Sequence, residues 1–152
     1  MSLNEEAEIV TWPETHYAYV EAEGPFQQIA PQSWQRMHAL VPALRERYAI
    51  TGFMSLYKMN PMVYCAGVSL TEAPGELPQG LQYMKFSGGA YICFVLNGPY
   101  AQLPKASGRA WQIVGERKLP VRDGWAIENY VNNLALVSEE KLITEILVPT
   151  FS

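Results

Sequence analysis

The chain is 152 residues long, enough for one domain around a continuous core. Hydrophobic residues make up 49% of it and charged ones 17%, a globular composition and not a disordered one. The formal net charge is −4 and no cluster of basic residues occurs, so the footprint needed to neutralise phosphates is missing and direct nucleic-acid binding is not expected.

The N-terminus, MSLNEEAEIV, is acidic and has no basic region leading into an apolar one, so it is not read as a secretory signal. No apolar run approaches the roughly 18 residues of a membrane span, and the cytoplasm is the expected location. The first strand-like run, from Tyr17, is rich in Tyr, Val and Ala and stops at Gly24-Pro25, since proline cannot donate to a ladder. Trp34, Met37, Val41, Leu44 and Tyr48 then recur at helical spacing, which predicts a helix starting near Pro31 and kinked or broken at Pro42. Residues 50–57 and 62–70 read as strands parted by an Asn60-Pro61 turn, and residues 71–80 form a Pro/Gly connection. A second strand runs from Tyr91 into Gly98-Pro99. Leu103, Ala106, Ser107, Ala110, Trp111 and Val114 predict a second helix, with Gly115 where a C-cap belongs. Residues 125–131 and 142–148 read as the closing strands.

The order repeats itself. At an offset of 74, Tyr17/Tyr91, Gly24/Gly98, Pro25/Pro99 and Gln28/Gln102 are identical, and Phe26/Tyr100 and Ile29/Leu103 are similar. Two copies of a unit this long are not a solenoid. They predict one domain over residues 1–152, with half-repeats at about 8–70 and 80–150, each a strand–helix–strand–strand unit.

Metal and redox chemistry find little support. Fourteen Glu stand against one Asp, Asp123, a poor set for hard cations. His16 and His38 lie in no zinc-ligand spacing and read as a strand surface residue and a helix residue. Cys65 and Cys93 each sit alone in an apolar run and read as buried reduced thiols. No nucleophile elbow, P-loop or dinucleotide fingerprint occurs, and no cofactor is expected.

Gly88-Gly89-Ala90-Tyr91, then Gly98-Pro99-Tyr100 and a helix with Trp111, is similar to the middle of GyrI-like domains. Arg122-Asp123-Gly124, Glu128-Asn129-Tyr130 and Glu145-Ile146-Leu147-Val148-Pro149 resemble that family's C-terminal signature. The likeness spans nearly the whole chain and is strongest from Ser87 to Pro149. It implies an α+β fold in which duplicated strand–helix–strand–strand units, related by a pseudo-twofold, use antiparallel sheets and two main helices to enclose a ligand cleft. The family includes effector-binding domains of AraC- and MerR-type regulators, gyrase inhibitors, and hydrolases of cyclopropane-bearing genotoxic compounds. The likeness begins near residue 8, which is taken to leave no room for a DNA-binding domain and to speak against direct repressor or activator activity.

Two glutamates stand out from the residues themselves. Glu128 in WAIENYV and Glu145 in LITEILV are each the only charge of an apolar strand. Either their face meets solvent, or both point into a cleft, where a desolvated carboxylate protonates or awaits a cation. They match positions at which multidrug-binding family members carry ligand-facing glutamates, which favours the cleft. Tyr57 and Tyr130 occupy near-equivalent places in the repeats, and Tyr91 and Trp111 fall in the motif stretches. Each has core packing as its alternative, but as a set beside carboxylates they suit a greasy cation. The leading expectation is a non-catalytic module that binds small hydrophobic, cationic aromatic compounds. It would sequester them or act with a separate regulatory protein. Two alternatives remain open: a hydrolase in which Glu128 or Glu145 activates water, and a gyrase-inhibitor-like protein-interaction module.

Overall fold

Alternating apolar and polar residues build ten main elements over the residues described, 2–152, in this computed structural model. In chain order they are β1 (Ser2–Trp12), β2 (Thr15–Glu23), α1 (Phe26–Arg45), β3 (Ile50–Met59), β4 (Met62–Leu70), β5 (Gln82–Phe86), β6 (Gly89–Asn97), α2 (Leu103–Glu116), β7 (Ala126–Tyr130) and β8 (Ile143–Pro149). The chain is α+β with antiparallel sheet pairing, the expected class. Among the described residues, no helix is long and apolar enough to cross a membrane.

Two compact units form. The first, Pro13–Gly88, holds strands in the order β3-β4-β2-β5 with α1; the second joins the segment ending at Trp12 to Gly89–Ser152, in the order β7-β8-β6-β1 with α2. The edge strand of each is an exchange. β1 precedes β2 in the chain yet pairs with β6, Val10 opposite Tyr91, while β5 precedes β6 yet pairs with β2, Met84 opposite Tyr17. The 74-residue offset of the sequence repeat holds here too, since 84 − 10 and 91 − 17 are both 74.

Each sheet buries one face under its helix. In the second unit Ile92, Phe94 and Leu96 of β6, with Ile146 and Val148 of β8, pack on Leu103, Ala106, Ala110, Ile113 and Val114 of α2. The strand-to-helix turns before α1 and α2 rest on Gly24 and Gly98, whose φ values of 126° and 146° suit glycine, each followed by a proline that sets the next turn.

The helices depart from expectation where α1 begins, where it continues unbroken past Pro42, and where α2 ends. Of the kink or break expected at Pro42, the break does not occur. α1 begins at Phe26, one turn before Pro31, and runs through both Pro31 and Pro42 to Arg45 without ending. Proline removes one ladder bond, but Met37, Val41 and Leu44 are buried on either side of Pro42, and that packing carries the helix past it. Gly115 does not cap α2. The helix continues to Glu116, and the left-handed residue is Lys118 at φ 54°. Lys118 N–H donates to Gly115 C=O (3.1 Å) and Leu119 N–H to Val114 C=O (3.0 Å), the paired bonds of a Schellman ending.

A lysine at this φ carries a Cβ penalty that glycine lacks. Lys118→Gly is expected to stabilise the chain by up to about 1 kcal/mol, read as a rise of about 2–4 °C in thermal melting. A fall in the melting temperature would contradict this account of the cap.

Candidate functional site

The register of β7 against β8 decides which way the two glutamates point. Glu128 lies opposite Ile146 and Tyr130 opposite Thr144, so all four share the face that packs under α2. Glu128 is thus a carboxylate on the apolar side of the second unit's sheet. Ser107 of α2 donates its hydroxyl to one carboxylate oxygen (3.0 Å), and Tyr130, two residues along the same strand face, donates to the other (3.1 Å). Burial, opposed by these two hydroxyls, pushes the Glu128 carboxyl above its ordinary range.

Glu128 is half-buried, as are Ser107, Tyr100, Trp111 and Tyr130. The Tyr100 ring meets Tyr130 edge-on (5.6 Å, 76°), and Tyr100, Trp111 and Tyr130 all pack against the α2 core. Tyr100 also donates to the Asn132 C=O (3.1 Å), while Asn132 caps Ile143 N–H (2.8 Å) and Lys141 C=O (3.0 Å). The loop after β7 is thereby fastened to Tyr100 and the start of β8.

The expectation that both glutamates enter one cleft needs correction. Glu145 lies opposite Asn129, one residue out of phase with Glu128, and therefore on the other face of the sheet. There Asn129 donates its side-chain amide to one Glu145 oxygen (2.8 Å) and the Cys93 thiol approaches the other (3.8 Å). Burial, then the Glu145 charge, pushes that thiol up to about 12, so Cys93 is an inert proton donor. Cys65 is likewise buried and free, its titration pushed up by burial and Glu21.

The aromatic candidates divide. Tyr130 bonds Glu128, while Trp111 lies on α2 one turn beyond Ser107 and packs against the helix core. Tyr91 is fully buried on the Glu145 face, its hydroxyl donating to Trp125 C=O (2.7 Å) and its ring under the Arg122 guanidinium (5.0 Å). Tyr57 belongs to the first unit, where its ring meets Phe26. The sequence does not single out Ser107, Tyr100 or Thr144 as site residues. A serine one turn before Trp111 and a tyrosine closing Gly-Pro-Tyr were the available signals; Thr144 gave none.

The fold is that of a small-molecule-binding class of domain. A model of the GyrI-like small molecule binding domain matches residues 5–150, and the chain belongs to that family. Its fold is shared with the crystal structure of the EcmrR C-terminal domain (15% identity, TM-score 0.78, covering 95% of this chain and 96% of that one). It is shared too with SAV2435 bound to tetraphenylphosphonium (14% identity, TM-score 0.76, 95% and 93%). A third is a hydrolase encoded by lin2189 from Listeria innocua (11% identity, TM-score 0.63, 95% and 91%). No curated protein matches the chain.

Two outcomes test this geometry. Tyr91→Phe removes a buried hydrogen bond and should cost about 1 kcal/mol in denaturant unfolding. It should leave ligand affinity unchanged, since Tyr91 lies on the other face. Glu128 has a raised folded value, so the unfolded chain releases its proton first as pH rises. Native stability therefore falls between the ordinary glutamate range and the raised value, and is flat above. Glu128→Gln should thus raise the melting temperature at about pH 8, with the gain vanishing near pH 4; equal gains at both pH values would refute the burial account.

Proposed function

We propose that the chain binds small, hydrophobic organic cations over Glu128, with Tyr100, Trp111 and Tyr130 as aromatic walls. The observation that carries this reading is Glu128 itself, a carboxylate enclosed among apolar groups, steadied by two neutral hydroxyls and still reachable from solvent. Neither hydroxyl brings the positive charge that would offset desolvation. An organic cation supplies that charge together with apolar area, and the rings add attraction through their faces. That a protein of this fold was solved with tetraphenylphosphonium supports the ligand class. Glu145 and Tyr91, on the opposite face, are assigned to support of the sheet. The function of such a module is sequestration, or presentation of the bound compound to a regulatory protein.

The raised Glu128 carboxyl also suits a general base acting on water, which keeps a hydrolase reading in view. Ligand recovered unchanged after long incubation separates binding from turnover.

Tryptophan fluorescence reads the binding. Titration with a panel of lipophilic cations should give saturable quenching through Trp111, weakened tenfold or more in Glu128→Gln, about 1.4 kcal/mol. Affinity should rise with pH through the raised Glu128 value, because the cation selects the ionised form. Absence of saturation with every cation would defeat the proposal.

A further inference from the structure

The first unit contains a filled counterpart of the Glu128 site. Trp34 of α1 donates its indole N–H to Ser55 Oγ of β3 (3.1 Å), and Ser107 of α2 donates to Glu128 of β7; both pairs are 21 residues apart. Phe26 meets Tyr57 edge-on at 5.5 Å and 72°, as Tyr100 meets Tyr130 at 5.6 Å and 76°. Across the strands, Tyr57 lies opposite Tyr64 as Tyr130 lies opposite Thr144. Trp34, Ser55 and Tyr64 of the first unit thus correspond to Ser107, Glu128 and Thr144 of the second.

The three substitutions act in one direction. In the first unit the indole N–H reaches both Ser55 Oγ and the Tyr64 hydroxyl (2.9 Å), and those two bond each other (2.7 Å). Beneath the half-buried indole, Ser55 is 0% and Tyr57 and Tyr64 each 5% exposed. In the second unit the indole is replaced by a serine and the phenol by a threonine, while the acceptor gains a charge. Glu128 and Tyr130 become accessible, and the buried Thr144 hydroxyl is left without a partner.

We infer that the Glu128 site takes a flat, bicyclic aromatic cation bearing N–H donors, lying where the Trp34 indole lies in the first unit. The inference rests on the proposed function and narrows its ligand class. The indole is the chain's own template: a planar ring system with its N–H aimed at the acceptor on the facing strand. Replacing the neutral Ser55 acceptor by the Glu128 carboxylate converts the preference from a neutral N–H to a charged one, and a fork of two donors fits the carboxylate's free lone pairs. A quaternary cation of equal size offers charge without those donors.

Isothermal titration with two probes tests it: aminobenzimidazole at a pH where it is protonated, and N,N′-dimethylbenzimidazolium, which has the same ring and charge but no N–H. The first should bind the wild-type chain at least tenfold more tightly, with the gap narrowing to about threefold or less in Glu128→Gln. Ser107→Trp, which copies the first unit, should abolish binding of both while circular dichroism and melting are kept. Equal affinity of the two probes, or no binding of either while tetraphenylphosphonium saturates, overturns the inference and leaves the cation-binding function standing. If no cation saturates, both fall. Should Ser107→Trp not fold, the two-probe comparison on the wild-type chain still decides.

Discussion

A carboxylate on the apolar face of a sheet is the constraint around which the second unit is arranged. Glu128 stands on the side of β7 that packs beneath α2, where an unpaired charge is costly. The sheet and helix meet this cost by local means. Ser107 arrives from the helix and Tyr130 from the same strand, one hydroxyl for each oxygen. Hydroxyls orient the carboxylate without neutralising it, so its titration stays raised and its demand for a positive partner is unmet by these two contacts. Such a group is poor for stability and good for recognition, a trade commonly made at functional sites.

The first unit solves the same packing problem without a charge. Its Trp34–Ser55–Tyr64 cluster is neutral and internally hydrogen-bonded, with Ser55 and Tyr64 buried beneath a half-buried indole. Neutral donors and acceptors that satisfy one another rigidify a core at little cost. The two units therefore share a scaffold and differ in what fills it: side chains in one, an accessible carboxylate in the other.

Much of this was legible in the sequence, and the illegible parts have physical causes. Strands β2, β3, β4, β6, β7 and β8 declare themselves through β-branched and aromatic runs, and β4 spans the residues expected of it. β1 and β5 do not, because they lie at sheet ends and carry exposed Glu5, Glu6, Glu8 and Lys85, the charged dress of edges that resist stray pairing. Glu128 was visible as a lone charge in an apolar strand. Its separation from Glu145 was not, since strand period fixes faces within one strand, while the register between strands decides whether two strands' faces coincide. Ser107 was read as a packing residue because helical periodicity reports burial and is blind to what a flanking hydroxyl faces.

The strand exchange adds a last consequence for the site. The second unit draws β1 from the far side of a contiguous first unit, so pairing β1 with β6 closes a loop of more than seventy residues. Closure entropy rises only with the logarithm of length, and a folded intervening unit shortens the effective loop further. What β1 then contributes is a brace for the helix of the site. Glu5 receives a two-pronged contact from Arg109 of α2 (2.9 and 3.2 Å), and Arg109 also reaches Glu116 one helix face along (3.0 Å). An exposed ion pair adds little to stability by itself, but a bidentate one fixes orientation. Arg109 lies two residues from Ser107, so the edge strand supplied from the chain's beginning steadies the helix turn that presents a hydroxyl to Glu128.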